Sequence, residues 1–183
     1  MRGAWWRGRA ARRGAGALAV LAALLTLRLP RTARLDADFP QHSPAHLAHF
    51  LADFTNHPKL YPHLSGSWWI EDEWNNYTMW RYAVGYECGE RCAGRATLEH
   101  RAGAAHRLLL SDQRCQHLPW LPWPSFCEYS ETETEITARG GGGARLREET
   151  RERCGAAALL RGCAPAERRR RHLRALRRAL AAD

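Results

Sequence analysis

The hydrophobic period of this chain changes twice, and those changes limit what it can fold into. Between Ser43 and Leu64 the apolar residues Leu47, Phe50, Leu51 and Phe54 fall at i, i+3, i+4 and i+7, which makes one face of a helix apolar. From Gly66 onward the period is two, and the chain reads as successive strands. After Pro165 the helical period returns, with Ala166, Arg169, Leu173, Leu176 and Leu180 on one stripe. The pattern predicts an α+β fold.

Local signals set the expected boundaries. Leu35, Ala37 and Phe39 alternate with charged residues in a first strand over Arg34 to Gln41. Ser43-Pro44 supplies an N-cap and a proline suited to the first helical turn, and His57-Pro58 stops that helix. Leu60 to Leu64 forms one further short turn of helix. "SWWIEDEW" and "YTMWRYAVGY" form a hairpin across Trp74 to Tyr77, where asparagine would take the positive φ of a tight turn. Further strands are expected over Arg95–His100, His106–Asp112, Phe126–Ala138 and "ARLREETRERC", with Gly140 to Gly143 as a loose turn. Pro119, Pro122 and Pro124 argue against a regular strand in "QHLPWLPWPSF". The expected order is strand, helix, short helix, six strands, terminal helix.

This order resembles the helix-grip fold of the START-like (SRPBCC) superfamily, which includes lipid-transport domains, pollen-allergen-like proteins and polyketide cyclases. The local match is "FPQHSPAHLAHFLADFTNHPKLYPHLSG", in which Phe50, Leu51, Asp53, Phe54, Pro58, Tyr61 and Pro62 occupy the family's apolar, acidic and proline places. "AERRRRHLRALRRAL" is similar to the Arg-rich last helix of bacterial members. The resemblance covers residues 34–182. It implies a curved antiparallel sheet of about seven strands around a long C-terminal helix, with short helices after the first strand plugging one end of a cavity.

A cavity of that kind admits a hydrophobic small molecule such as a lipid, sterol or isoprenoid, carried or sensed. Trp68, Trp69, Trp74, Trp80, Tyr82 and Tyr86 are candidates for its wall. Alternation bars Trp68 and Trp69 from facing inward together, and the expected inward set contains Trp80 and Tyr82. The proline-rich loop carries Trp120 and Trp123, which suit an entrance lid or a membrane-touching wedge. Arg169, beside Leu173 and Leu176 on the last helix, could reach a ligand headgroup at the cavity mouth. The simpler reading makes the aromatics core and lets the Arg169 guanidinium reach water past a packed stem. A cyclase or hydratase using a cavity His or Tyr, and a scaffold whose cavity is filled, are the alternatives.

No catalytic residue is expected, because the histidines are scattered and no nucleophile sits at a recognisable spacing. No cofactor is expected either. The net charge of +9 does not signal nucleic-acid binding. Residues 1–34 carry eight arginines and no acid, residues 161–183 carry +6, and the body between them is left at −5. Lys59 is the only lysine, so a GC-rich coding sequence accounts for much of the arginine excess.

The six cysteines, Cys88, Cys92, Cys115, Cys127, Cys154 and Cys163, suit a disulfide-bonded domain in an oxidising compartment. Their spacing permits three local bridges but leaves other pairings open. No C-x2-C pair suggests a metal site. Asn76-Tyr77-Thr78 is a glycosylation sequon in an exposed turn. Arg2, Arg7, Arg9, Arg12 and Arg13 precede an apolar run from Gly14 to Leu27, the layout of a secretory signal or uncleaved anchor. The expected organisation is a targeting or single-pass anchor segment over 1–33 and a START-like domain over 34–183, with a lumenal or extracellular body. A secreted or a mitochondrial protein is the alternative.

Overall fold

The computed structural model describes residues 28–64, 66–118, 121–155 and 163–182, and the side chains of all of these except 118–126. Strand β1 (Arg28–Phe39) is followed by helix α1 (Pro44–Ala52), a 3-10 turn (Phe54–Asn56), the short helix α2 (His57–Leu60) and a second 3-10 turn (Pro62–Leu64). Then come β2 (Trp68–Asn75), β3 (Met79–Gly89), β4 (Cys92–Arg101), β5 (His106–Leu118), β6 (Leu121–Ala138), β7 (Ala144–Gly155) and helix α3 (Pro165–Ala181). The seven strands form one curved antiparallel sheet in the order β1-β7-β6-β5-β4-β3-β2.

That order explains the short helices. β1 and β2 are consecutive strands on opposite edges of the sheet, so the segment joining them has to cross from one edge to the other. It crosses as α1, α2 and their turns, burying Leu47, Ala48, Phe50, Leu51, Ala52, Phe54, Leu60 and Leu64. The Ser43 hydroxyl accepts from the His46 N–H at 3.2 Å, as an N-cap does. The Asp53 carboxylate accepts from the Thr55 N–H at 2.9 Å and starts the next turn. Tyr82 fixes the segment to the sheet by donating its hydroxyl to the Ala52 carbonyl.

Alternation sorts the sheet into two faces. On β7, Ala144, Leu146, Glu148 and Thr150 are buried, while Arg145, Arg147 and Arg151 are exposed. The outward residues form a charge ladder with β1, through Arg145–Asp38 at 3.0 Å, Arg147–Asp36 at 3.1 Å and Arg34–Glu149 at 3.0 Å. Exposed pairs of this kind are screened by solvent and contribute little to stability, so burial on the other face carries the fold. There Tyr82, Val84, Tyr86, Ala96, Leu98, Leu108, Ile136, Leu146, Leu176 and Leu180 join the helix residues in one core.

Three expectations are corrected. β5 and β6 run to Leu118 and from Leu121, with those two residues in register, so Pro122 and Pro124 lie within a strand. What is corrected is the start of β6, Leu121 instead of Phe126; the prolines still sit in an irregular stretch, because the β5–β6 register shifts between Gln116 and Leu118, the kind of bulge at which proline is accommodated. The β2–β3 hairpin uses no positive φ at asparagine, since among the described residues positive φ occurs only at glycine. Instead the Asn76 side-chain oxygen accepts from the N–H groups of Thr78 (3.0 Å) and Met79 (2.8 Å), closing the turn. The first strand starts at Arg28, six residues ahead of Arg34. In the β6–β7 turn, by contrast, Gly141, Gly142 and Gly143 take φ of 90°, 98° and 83°, as a glycine run permits.

The disulfides join neighbours in sequence: Cys88–Cys92, Cys115–Cys127 and Cys154–Cys163. The first spans the β3–β4 turn, and the second joins residues directly opposite on β5 and β6, with Cα atoms 4.0 Å apart. The third lies in a small separate unit that also includes the described residues 28–30 and 153–155; the main body holds 31–152 and 164–182. Three disulfides suit an oxidising compartment. No helix among the described residues is long and apolar enough to cross a membrane, and the Gly14–Leu27 run lies outside the described residues.

Candidate functional site

Helix α3 faces the sheet with a mixed stripe. Arg169, His172, Leu176 and Leu180 are buried, whereas Ala166 is exposed and Leu173 only half-buried, so the inward stripe passes through His172. Two polar residues therefore enter the core between α3, α2 and the strands. What they meet is Glu148, at an inward position of β7 and 2% exposed.

Arg169 Nε lies 3.4 Å from Glu148 Oε2, without the alignment of a hydrogen bond. Its Nη2 donates to His172 Nδ1 at 2.9 Å and to the Tyr61 hydroxyl at 3.3 Å, and Nη1 donates to Thr132 Oγ1 at 3.4 Å. Thr132 is itself hydrogen-bonded to Thr150 at 3.0 Å. Tyr61 stacks on the His172 ring with centroids 4.9 Å apart. His57 donates from Nε2 to the Leu51 carbonyl at 2.9 Å.

Charge is balanced within this cluster. Burial alone would lower the Arg169 pKa, but Glu148, with smaller help from Tyr61 and Glu152, raises it instead, so the guanidinium stays charged. Burial, followed by the charge of Arg169 and by His57, holds His172 well below the ordinary histidine value. With Nδ1 accepting from Arg169, His172 is the neutral tautomer carrying its proton on Nε2. Its 3.9 Å approach to Glu148 is therefore no ion pair. Burial also lowers the pKa of His57 and pushes the Tyr61 phenol up to about 12.

A cavity opens beside this cluster. Leu51, Leu60, Leu98, Leu108 and Leu110 form its apolar wall, and His57, Tyr61, Thr132, Thr134, Glu148, Arg169 and His172 the polar one. About 30 Å³ is open to the centre of a water-sized body, enough for one or two such bodies. Four buried polar atoms around it have no hydrogen-bond partner in the protein: His57 Nδ1, Glu148 Oε2, Arg169 Nε and His172 Nε2. Two of these donate and two accept. A group that both donates and accepts would complete the set.

A second polar pair lies on the same sheet face. The Tyr86 hydroxyl donates to Asp112 at 2.6 Å, and burial raises the pKa of that carboxyl. His63, on the second 3-10 turn, lies against Tyr86 with ring centroids 6.3 Å apart. Burial, then the charge of Arg114, lowers its pKa to about 4.

The sequence-derived residues are only partly brought together. Arg169 lines the cavity. Leu176 is fully buried in the core, Leu173 packs against it from the side, and Tyr82 is occupied with Ala52. Trp80 donates its indole N–H to Glu73 at 2.9 Å and stands 4.9 Å from Tyr82, away from the cavity lining. The side chains of Trp120 and Trp123 lie outside the described residues. Tyr61, His57, His172, Glu148 and Thr132 were not anticipated. For Glu148 a signal exists: in "ARLREETRERC" strict alternation groups it with Ala144, Leu146 and Thr150.

Among solved structures, the chain is similar to the Mll3558 protein from Rhizobium loti, at 19% identity and TM-score 0.52, covering 85% of this chain and 97% of that one. It is also similar to the human StarD13 (DLC2) lipid transfer and protein localization domain, at 9% identity and TM-score 0.53, covering 82% and 76%. The fold is the helix grip. No protein-family model and no curated protein matches the chain. In helix-grip terms α3 is the gripped helix, β2–β7 and β1 are the curved sheet, and α1 and α2 are the plug.

Acid should destabilise this helix-grip core. Above about pH 6.5 the rings of His57, His63 and His172 are neutral in folded and unfolded chains alike, and their titration contributes nothing. Below it, the unfolded chain takes up protons that the folded state refuses, so stability is lost progressively as pH falls towards about 4, the folded value for His63. Urea midpoints measured from pH 7.5 to 4.5 are expected to be flat at first and then fall steadily. His172→Gln should reduce that fall.

Proposed function

We propose that this protein binds a hydrophobic small molecule with a neutral hydrogen-bonding headgroup, in the space between α3, α2 and the sheet, and carries or senses it. The observation that carries the reading is a cavity with five leucines on one side and a polar wall on the other, in which buried His57 Nδ1 and His172 Nε2 have no hydrogen-bond partner and the Arg169–Glu148 ion pair is not closed by a hydrogen bond. The similarity to a lipid transfer domain supports a hydrophobic guest. The charge balance supports the headgroup. Arg169 and Glu148 offset each other while His57, Tyr61 and His172 are neutral, so a carboxylate or an ammonium would bring in an uncompensated charge, which is costly to bury. A hydroxyl or a carbonyl brings none.

The cavity described is a closed state. Bound small molecules ordinarily occupy about 300–1,000 Å³, so the guest enters only when a wall moves. α2 and its flanking turns are the movable wall: four residues of helix between His57-Pro58 and Tyr61-Pro62 make few internal hydrogen bonds to hold them. The proline-rich segment carrying Trp120 and Trp123 serves as the entrance lid. Arg169 meets the headgroup, with Leu173, Leu176, Trp80 and Tyr82 supporting the wall. The segment ahead of β1 targets or anchors the chain, the body lies in a lumenal or extracellular space, and Asn76 is glycosylated there.

The small volume favours a second reading, a scaffold whose core is filled. A matched ligand series separates the two. Hexadecanol, hexadecanoate and hexadecylamine are titrated against the full chain and followed by tryptophan fluorescence. The alcohol is expected to bind at least about tenfold more tightly than either ion, a difference of about 1.4 kcal/mol. Tightest binding by the carboxylate would overturn the neutral headgroup, and saturable binding by none of the three would favour the filled scaffold.

A further inference from the structure

Five of the chain's nine histidines lie at one end of the sheet, outside the cavity lining. His42, His46 and His49 belong to α1 or the turn before it; His100 ends β4 and His106 begins β5. The sequence separates these two groups by some fifty residues, and only the crossing of α1 over β4 and β5 joins them. His100 Nε2 and His106 Nδ1 are hydrogen-bonded to each other at 3.2 Å, so that an ion would replace the shared proton, with the rings nearly parallel at 19° and their centroids 5.4 Å apart. His49 presents its ring edge-on to His100, with centroids 6.1 Å apart. His49 is exposed and His106 half-buried, while His100 is 7% exposed.

The geometry points to a site for a borderline divalent transition metal of the Zn²⁺ or Cu²⁺ type, held by His100 Nε2 and His106 Nδ1 and completed by His49. Two nitrogens bound to one tetrahedral ion, each at about 2.0–2.1 Å, stand about 3.3 Å apart. The two imidazole nitrogens are already at that separation. His49 reaches the third position by turning its exposed side chain, and solvent supplies a fourth ligand and the route of entry. Imidazoles without a carboxylate select Zn²⁺ or Cu²⁺ over Mg²⁺ or Ca²⁺. An ion there would tie α1 to the β4–β5 hairpin, independently of whether the cavity holds a guest.

Calorimetric titration of the full chain with Zn²⁺ alone, and separately with Mg²⁺, tests the site. One Zn²⁺ is expected to bind and Mg²⁺ is not. Loss of one outer-shell partner of a metal ligand typically costs about 10–100-fold in affinity, so His106→Gln should cost at least that, and His49→Gln should weaken binding as well. His106 and His49 are chosen because His100→Gln, at a buried position, can disturb folding. The double variant His42→Gln/His46→Gln is the control, since those two rings stack only on each other at 5.3 Å and should not contribute. Absence of Zn²⁺ binding, unchanged binding in a folded His106→Gln chain, or loss of binding in the control would overturn the site.

Discussion

Arg169→Met is expected to cost about 3–5 kcal/mol of unfolding free energy, because it leaves the Glu148 carboxylate, 2% exposed, without its cation. Glu148→Leu should cost a similar amount from the other side, leaving a buried guanidinium with only neutral partners. The double variant Arg169→Met/Glu148→Leu should be more stable than either single one, since an apolar pair of similar size carries no uncompensated charge. Urea unfolding of the four proteins at pH 7.5 measures this. Additive losses would mean that the two side chains do not interact, and the charge balance argued for the cavity would fail with them.

Gly94→Val is the next largest expected effect. Tyr86 and Gly94 are opposite each other on β3 and β4, and the Tyr86 ring lies across the glycine. A Cβ on residue 94 would meet Tyr86 Cζ and Oη closer than real Cβ atoms come to anything, and would stand 2.7 Å from Cε2. The ring cannot swing aside cheaply, being 1% exposed and hydrogen-bonded to Asp112. Overpacking costs about 1–3 kcal/mol, and loss of the hydrogen bond to the half-buried Asp112 adds about 1 kcal/mol. Gly103→Ala, with nothing nearer than 3.6 Å to its new methyl, should change the urea midpoint little.

How far the sequence reached depended on the range of the interaction. Ser43-Pro44 and the Leu47/Phe50/Leu51/Phe54 spacing are local signals, and α1 lies where they put it. Seven strands follow from period two and turn residues, and the helix-grip fold was legible from their order. Pro122 and Pro124 correctly signalled an irregular stretch but not that β6 already begins at Leu121, because a bulge accommodates proline without ending the strand. The site was harder to read. Glu148 looks like one more charge in an Arg/Glu-rich strand, and its inward direction shows only once register is fixed by Leu146 and Thr150. Tyr61 and His57 belong to short turns with no long period, so nothing local says which way they point. His172 lost its place to Leu173 because a hydrophobic residue is the usual marker of a buried stripe, whereas here the stripe turns polar to meet Glu148.

Native mass spectrometry of the full chain purified from its expression host, followed by organic extraction and repeated on Leu98→Trp, tests the central claim most directly. The account predicts a wild-type adduct that extracts as an uncharged, hydrophobic compound, and its loss from a folded Leu98→Trp chain, in which the indole fills the space beside Arg169. An adduct of the same mass on both proteins would place the guest elsewhere. A wild-type chain that carries no adduct and takes none up from a neutral lipid extract would contradict the account.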